Sequence, residues 1–253
     1  MKYRSIIFYF LLSILFITGC TTSFNTDKEE EAAKRKARVK LLKEILRKHK
    51  VNPVFTTLLR ENSLRESSEI NLIEGVEPIE KNGLIKAVIE IPAGSLEKWE
   101  VTKDGRAMEW EFKNGIPRIV NYIGYPGNYG FIPRSLLPKT KGGDGDPLDI
   151  IVLGKAIPRG EIVKIKLIGM LKFLDNGEKD DKLIGLHNSS PFYSMNNIDE
   201  LKEKFPGVLE ILKIWFRDYK GPGKMEFKGL GNLQEAEYVL HFAVESFRQE
   251  LKR

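Results

Sequence analysis

Strand-like patterns of apolar and polar residues occupy the middle of this chain, from about Gly83 onward. Residues 84–92 and 108–112 are two candidate strands. Residues 162–173 form the longest candidate, with one apolar face made of Val163, Ile165, Leu167, Leu171 and Phe173. Because these segments are short and are separated by Gly and Pro turns, they predict an antiparallel barrel or sandwich.

Helical signals follow at the C-terminal end of the chain. Residues 199–219 are rich in helix formers and are interrupted by Pro206, a residue that breaks helices. Asn232, with Glu235 three residues later, is a start signal for a last helix. The apolar stripe of that helix consists of Ala236, Leu240, Ala243, Phe247 and Leu251. The pattern therefore predicts an α+β protein, mainly β, with flanking C-terminal helices.

A charged arm precedes the strand-rich region. Residues 21–28 are polar and rich in Ser and Thr, which is typical of a tether. Residues 29–50 carry acidic residues first and basic residues last, the order that a helix dipole favours. A partial apolar stripe gives this predicted helix one packed edge. We therefore divide the chain into a leader at 1–20, a tether and charged helical arm at 21–82, and a folded domain at 83–253.

The leader has the features of a targeting segment. Lys2 and Arg4 precede a mostly apolar core at residues 6–17. This core is shorter than the roughly 20 residues that a spanning helix needs, and it matches a secretory signal peptide. The following Ile17-Thr18-Gly19-Cys20 resembles the bacterial lipobox, in which the cysteine is lipidated and becomes the mature N-terminus. A plain signal peptide and an uncleaved anchor are the alternatives. Cys20 is the only cysteine, so disulfides play no part in the stability of the domain.

The net charge of +6 resides in the N-terminal part of the chain. Residues 1–20 contribute +2, and residues 21–50 carry ten Lys or Arg against five Asp or Glu. The remaining residues, 51–253, hold 29 basic and 30 acidic side chains. Since the folded region is almost neutral, its charge gives no case for nucleic acid binding.

Asp144, Asp146 and Asp149 lie within six residues, directly before an apolar run that predicts a buried strand. Neighbouring carboxylates raise one another's pKa unless a positive charge lies between them, and hard cations such as Mg²⁺ prefer oxygen ligands. The motif therefore indicates a metal site on a rigid base. Gly, Asp and Pro also favour turns, so an ordinary solvated turn is the alternative. An EF-hand calcium loop fits worse, because Leu148 stands where an oxygen ligand is needed.

Other polar residues that could take part in chemistry are spread over the same region. Glu90 lies within an apolar strand, and Lys98 and Glu100 flank Trp99, so that strand alternation points both to one face. The aromatic turn Tyr125-Pro-Gly-Asn-Tyr129 precedes the aspartates. Further along the chain are Asp175, Asp180, Asp181, Lys182, Tyr219 and Lys220. Each alone has an ordinary explanation as an edge charge, a turn, a solvated loop or a helix-end cation.

Together these motifs resemble the soluble family I inorganic pyrophosphatases. Asp144-Gly-Asp146-Pro-Leu-Asp149-Ile matches the family signature. The other motifs, which follow in the family's order and at similar spacing, are Val88-Ile-Glu90-Ile-Pro, Lys98-Trp-Glu100, Tyr125-Pro-Gly-Asn-Tyr129-Gly, Asp175 with Asp180-Asp-Lys182, and Tyr219-Lys220. The resemblance runs from about Gly83 to the C-terminus. It implies an OB-like antiparallel β-barrel and Mg²⁺-dependent hydrolysis of pyrophosphate to two phosphates by a metal-activated water.

The resemblance also implies a role for each matching residue. Asp146 is expected to orient and deprotonate the attacking water. The expected metal ligands are Asp144, Asp149, Asp175 and Asp180, with Glu90 and Glu100 holding metal-bound waters or a further ion. The expected phosphate-binding residues are Lys98, Arg118, Tyr129, Lys182, Tyr219 and Lys220. Tyr125 is expected to support the site from behind. Several Mg²⁺ ions are the implied cofactors, with Mn²⁺ or other divalent ions as substitutes.

Two features depart from the family pattern. Arg118 lies one residue nearer Tyr125 than the family's phosphate-binding arginine, so Arg106 and Lys113 are alternatives. The leader and arm are also unusual, because the family is typically cytoplasmic. They predict export and lipid anchoring to the bacterial cell envelope, at the outer membrane where one exists, because Thr21 follows the cysteine. A cytoplasmic protein with an unprocessed N-terminus is the alternative.

The expected partners follow from these interpretations. They are pyrophosphate as a small-molecule substrate, the membrane through the lipid anchor and no nucleic acid, and the resemblance adds a homo-oligomer as an open expectation. The alternative function is that of an exported lipoprotein that binds metal or phosphate without turnover. It is disfavoured because a mere binder gains little from a water-activating carboxylate at Asp146.

Overall fold

The computed structural model describes residues 64–113 and 116–252, together with Lys36, Lys40 and Glu44 in helical positions. The predicted leader with Cys20, the tether and most of the predicted arm lie outside the described residues. A compact unit runs from Arg65 to the C-terminus and so includes residues that precede the expected boundary at Gly83. Within the part of the chain that the structure describes, no helix is long and apolar enough to cross a membrane.

The described residues of the compact unit form twelve strands and three helices. The strands are β1 (Arg65–Ser67), β2 (Ile85–Ile91), β3 (Trp99–Val101), β4 (Ala107–Trp110), β5 (Phe112–Lys113), β6 (Ile116–Pro117), β7 (Asn128–Phe131), β8 (Asp149–Leu153), β9 (Ile162–Asp175), β10 (Glu178–Lys179), β11 (Lys182–His187) and β12 (Met225–Gly231). The helices are α1 (Ile198–Lys204), α2 (Val208–Asp218) and α3 (Leu233–Glu250), and a 3-10 turn spans Lys139–Lys141.

Five strands close into a small barrel. Hydrogen bonds join β2, β7, β8, β11 and β9 in that order, and β9 returns to β2. This is the OB-like barrel expected from the sequence, with one difference. β8 and β11 pair in parallel, whereas the other ladders of the barrel are antiparallel. The chain leaves β8, returns through the antiparallel β9 and then enters β11, so β11 runs in the same direction as β8.

The remaining strands extend the barrel or form small sheets beside it. β10 and β12 pair with β9, β5 pairs with β6, and β1, β4 and β3 form a separate three-stranded sheet. Arg65 of β1 lies opposite Glu109 of β4 and forms an ion pair with it. This pairing explains why the compact unit starts before Gly83. The strand predicted at 108–112 is divided between β4 and β5, which are separated at Glu111.

A bulge in β9 changes the face on which its side chains lie. β11 pairs Gly185 with Leu167 and Ile184 with Gly169, which leaves Ile168 as an extra residue. One extra residue moves the following side chains to the opposite face. One core therefore receives Val163, Ile165, Leu167 and Met170. The other core receives Ile168, Leu171 and Phe173. The prediction of a single apolar face along this strand was wrong.

The C-terminal helices follow their sequence signals. α1 ends before Pro206 and α2 begins after it, as predicted. The Asn232 side chain accepts a hydrogen bond from the Glu235 backbone N–H, and the Glu235 side chain accepts one from the Asn232 backbone N–H. This capping box confirms the predicted start of α3. Leu251 is 60% exposed, so the buried stripe of α3 ends at Phe247 instead.

Two hydrophobic cores lie on either side of the barrel strands. One packs against α3 and includes Ala236, Leu240, Ala243 and Val244. The other packs against α2 and is rich in aromatic side chains, including Tyr125, Tyr129, Phe173, Trp215 and Phe216. Each large apolar side chain that is fully buried stabilises the fold by about 1.5–3 kcal/mol. This aromatic core forms the base on which polar residues of β7, β8 and β11 are held.

Gly130 lets β7 approach β2 closely. A Cβ atom at this position would lie 1.9 Å from the carbonyl oxygen of Val88, which is far inside any real contact distance. Only glycine fits there, and its neighbour Tyr129 is thereby held against the barrel.

Candidate active site

A polar cleft of about 260 Å³ lies at one end of the barrel, where β8 and β11 begin and β9 ends. Seven carboxylates line it: Glu100, Asp144, Asp146, Asp149, Asp175, Glu178 and Asp180. Four cationic side chains also line it, Lys98, Arg118, Lys179 and Lys220, together with Tyr129 and Tyr219. The barrel thus gathers residues that are more than 100 positions apart in the sequence into one small space.

The loop before β8 presents the first two aspartates of the signature. The carboxylate of Asp144 accepts a hydrogen bond of 2.9 Å from the Asp146 backbone N–H, and Gly145 between them has a φ of +89°. The motif is therefore a turn, as one of the two interpretations predicted, and its side chains face the cleft. Partial desolvation in the cleft, followed by the charges of Asp144, Glu100 and Asp149, raises the pKa of the Asp146 carboxyl. A carboxylate with a raised pKa is a better proton acceptor.

Lys182 is the central cation of the site and is only 1% exposed. Its Nζ donates hydrogen bonds to Asp149 at 2.8 Å, to Asp180 at 2.7 Å and to the Tyr129 hydroxyl at 3.2 Å. Burial opposes its charge, but the two carboxylates hold the pKa of Lys182 above its usual range. Lys182 therefore stays protonated and keeps two half-buried carboxylates close together.

The two partners of Lys182 titrate differently. Although burial acts to raise it, the ion pair with Lys182 and a hydrogen bond from the Tyr129 hydroxyl hold the pKa of Asp149 below its usual range. Burial and the charge of Asp149 raise the pKa of Asp180 to about 6, against the opposing effect of Lys182. Asp149 is thus a full anion at neutral pH, and Asp180 is the more easily protonated partner.

Glu90 lies in a bulge of β2, behind the cleft surface. β7 pairs with Ile89 and Ile91 and skips Glu90, whose side chain is buried. The Val101 backbone N–H donates a hydrogen bond of 2.8 Å to Glu90 Oε1. Burial raises the pKa of this carboxyl to about 8, against the attraction of Lys98. Glu90 is therefore held in place without contributing a solvated charge.

Lys98 and Glu100 flank Trp99 in the sequence and both line the cleft, as strand alternation predicts. Lys98 Nζ lies 3.1 Å from Glu100 Oε1 and 5.4 Å from the centre of the Tyr129 ring. Burial acts against its charge, but Tyr125, Glu100 and Glu90 hold the pKa of Lys98 well above its ordinary value. Lys98 is thus a permanent cation inside the cleft.

The end of α2 closes the opposite side of the cleft. Tyr219 and Lys220 follow the last helical residue, and Lys220 Nζ donates a hydrogen bond of 2.6 Å to Asp175. Tyr125 is buried beneath them, with its ring 4.4 Å from Trp215 and 5.5 Å from Tyr129 between centroids. Tyr125 thus lies behind the cleft and outside its lining.

Arg118 occupies the cleft, whereas its two alternatives do not. Its Nη1 donates a hydrogen bond of 2.6 Å to Glu111, and its carbonyl oxygen accepts one of 3.0 Å from the Lys98 backbone N–H. Arg106 and Lys113 are exposed and lie outside the cleft lining. The geometry therefore favours Arg118 as the arginine of the site.

Sequence reasoning missed two cleft residues, Glu178 and Lys179. Both lie on β10, which pairs with the end of β9 so that Glu178 is opposite Asp175. Asn176 and Gly177 join these strands with φ angles of +49° and +93°. An Asn-Gly pair between two strands is the strongest short signal for such a hairpin, so the sequence did contain the information.

The donor set of the cleft fits divalent cations. Its carboxylates outnumber its cations, and a polyanionic substrate would be repelled unless further positive charge were added. Oxygen donors of this kind suit Mg²⁺, which binds through a few carboxylates and keeps several waters. Among the described residues, no three acidic, histidine or cysteine side chains already form a compact ion site. Lys182 and Lys220 are instead the present counter-ions of Asp149, Asp180 and Asp175.

A family model described as inorganic pyrophosphatase matches residues 87–248, which include the whole cleft. The chain belongs to the inorganic pyrophosphatase family. The inorganic pyrophosphatase of Kluyveromyces lactis is 34% identical over 179 residues, which are 64% of this chain and 62% of that protein. The mitochondrial inorganic pyrophosphatase of Saccharomyces cerevisiae is 34% identical over 157 residues, 54% of this chain and 51% of that protein. The chain therefore spans between half and two thirds of the length of these relatives.

Solved pyrophosphatase structures share the fold. The type I inorganic pyrophosphatase from Toxoplasma gondii has a TM-score of 0.67 and 25% identity, over 71% of this chain and 88% of that one. The inorganic pyrophosphatase from Helicobacter pylori has a TM-score of 0.59 and 32% identity, over 69% of this chain and 99% of that one. These likenesses place the closed barrel and its C-terminal helices in the pyrophosphatase fold.

Proposed function

We propose that this family member is an Mg²⁺-dependent inorganic pyrophosphatase that hydrolyses pyrophosphate to two phosphates. The observation that carries the proposal is the single cleft in which acidic and basic residues from distant segments meet. The names of the relatives support the same reaction. The residues identified by resemblance all lie in this cleft or directly behind it, apart from Cys20, which lies outside the described residues.

The acidic residues divide between metal binding and proton transfer. Asp144, Asp149, Asp175 and Asp180 would hold Mg²⁺, and Glu90 and Glu100 would hold its waters or a further ion. When bound, such ions neutralise phosphate charge and make water more acidic, and Mn²⁺ can take the same oxygen ligands. Asp146 is the general base, because its carboxyl lines the cleft beside Asp144 and Asp149 and its raised pKa makes it a better proton acceptor.

The basic and phenolic residues bind the phosphate groups. Arg118 offers a planar group suited to two contacts with one phosphate, while Lys98, Lys182 and Lys220 act as compact charges. Tyr129 and Tyr219 also line the cleft and would add their hydroxyl groups to the phosphate site. In the reaction a water oxygen attacks one phosphorus, Asp146 accepts its proton, and the bridging P–O bond breaks as cations stabilise the departing phosphate.

Metal removal tests the function directly. The purified full chain is expected to release phosphate from pyrophosphate with Mg²⁺, to lose this activity in a chelator such as EDTA, and to regain it when Mg²⁺ is restored. The measurement is free phosphate against time, with circular dichroism to show that the chelated protein stays folded. A folded chain that binds Mg²⁺ but releases no phosphate would refute the hydrolase and favour the alternative, binding without turnover.

We further infer that the protein is exported and anchored to the cell envelope by lipid at Cys20. The support is the short apolar core followed by Ile17-Thr18-Gly19-Cys20. A lipid chain adds about 0.8 kcal/mol of membrane affinity per buried methylene group. The outer membrane, where a cell has one, is favoured by Thr21.

Cys20→Ser is expected to abolish incorporation of labelled fatty acid and to move the protein from the membrane fraction to the soluble fraction of a bacterial host. Ser23→Ala, which changes the tether but keeps the cysteine, is the matched control and should remain with the membrane. Continued membrane attachment of the Cys20→Ser variant would show that another segment holds the protein.

A further inference from the structure

Arg159 lies outside the cleft lining but contacts three strands next to it. The residue belongs to the loop between β8 and β9. Its Nε donates a hydrogen bond of 3.0 Å to the carbonyl oxygen of Glu90, and its Nη1 donates one of 2.9 Å to the Glu66 carboxylate. Its guanidinium carbon lies 3.7 Å from the centre of the Trp99 ring. One side chain thus joins β1, β2 and β3.

The position of Trp99 determines the direction in which the side chains of its two neighbours in the sequence point. Trp99 is 3% exposed and lies between Lys98 and Glu100. Successive side chains of a strand point to opposite faces, so fixing the indole on the inner side directs both neighbours to the cleft. A guanidinium over an indole face is among the stronger cation–π contacts, and its strength increases as the pair is desolvated.

The Arg159 side chain donates to the backbone carbonyl oxygen of Glu90, a residue that the pairing of β2 with β7 skips. Glu90 is the extra residue of the β2 bulge. The neighbouring loop residues strengthen this attachment, because Gly160 N–H donates to the Ile89 carbonyl at 2.8 Å and Ile89 N–H donates to the Glu161 carbonyl at 3.0 Å. The Arg159 loop therefore fixes the backbone from which the buried Glu90 carboxyl projects.

We propose that Arg159 is a positioning residue that holds Glu90, Lys98 and Glu100 in the arrangement needed to bind Mg²⁺ and phosphate. The inference rests on the proposed function of the cleft. Lysine is a poor substitute, because it lacks both the flat face that covers Trp99 and the Nε donor to Glu90. Residues that orient metal-binding groups typically change metal affinity or activity by about 10–100-fold when altered.

The test compares Arg159→Met and Arg159→Lys with the parent in the full chain. Arg159→Met is expected to weaken Mg²⁺ binding to the metal-free protein by about 10-fold, measured by calorimetry, and to lower kcat for pyrophosphate by about 10-fold or more with a raised KM. The Mg²⁺ affinity, kcat and KM of Arg159→Lys should lie between those of Arg159→Met and those of the parent. Arg248→Met, at an exposed position in the last turn of α3 and outside the cleft lining, is the matched control and should behave as the parent.

Several results would overturn the proposal. If both Arg159 variants melt at lower temperature but keep the parent's Mg²⁺ affinity, kcat and KM, the residue is only structural. If Arg159→Met does not fold, the same comparison of the folded Arg159→Lys variant decides. A parent that releases no phosphate would refute the proposed function alone, and calorimetry would still decide the role of Arg159. A parent that also binds no Mg²⁺ would overturn both.

Discussion

Asp146→Asn is expected to lower kcat for pyrophosphate by about 10²–10⁴-fold at saturating Mg²⁺, the range for loss of a general base. Asparagine has nearly the same shape but accepts no proton at neutral pH. The backbone N–H of residue 146 would still donate to Asp144, so the turn and the metal-binding carboxylates should persist. Phosphate release and Mg²⁺ affinity, measured on the same preparation, separate catalysis from binding.

Asp199→Asn is the matched control, since Asp199 is exposed in the first turn of α1 and lies outside the cleft lining. It should keep the parent's kcat. Two results would contradict the assignment of Asp146. Activity within threefold of the parent would remove its catalytic role, and loss of Mg²⁺ binding at unchanged fold would make it a metal ligand instead.

Lys182→Met is expected to reduce the free energy of unfolding by up to about 3–5 kcal/mol in the presence of a chelator, because a buried cation is removed and two half-buried carboxylates lose their counter-ion. The variant removes the cation between Asp149 and Asp180 while filling a similar volume. Added Mg²⁺ should recover part of the loss, because a cation bound only to the folded state stabilises it. Urea denaturation with and without Mg²⁺ measures both effects, and phosphate release should fall in parallel.

Lys202→Met serves as the matched control for Lys182→Met, because Lys202 is exposed on α1. Its effect on the free energy of unfolding should stay within about 0.5 kcal/mol. If Lys182→Met lowers the free energy of unfolding by less than about 1 kcal/mol, with or without chelator, the ion pairs of Lys182 with Asp149 and Asp180 are effectively solvated. Lys182 would then not be the internal counter-ion that its burial indicates.

The sequence predicted those parts of the fold that depend on local chemistry. The capping box at Asn232 and the break at Pro206 act through neighbouring backbone groups, so their effects could be read directly. The bulge at Ile168 could not be read, because an apolar residue there fits either face of a strand buried on both sides. β1 was also missed, since Arg65–Ser67 is polar and is held by distant pairing with β4.

The site was predictable in composition but not in its internal pairing. The signature carboxylates indicated metal chemistry, and the family resemblance supplied the remaining residues. The ion pairs of Lys182 with Asp149 and Asp180 could not be predicted, because they form only when the barrel brings β8 and β11 side by side. Arg159 carried no signal at all, because its partners Glu66, Glu90 and Trp99 lie 60 or more positions away in the sequence.

β9 pairs with β2, β10, β11 and β12, and its side chains enter both hydrophobic cores. A strand with so many hydrogen-bonded neighbours opens only when most of the domain opens, so its amides should exchange with solvent at the rate of global unfolding. Asp175 lies at the end of this strand. The cleft is therefore attached, through Asp175, to a strand of the described domain that opens only with global unfolding.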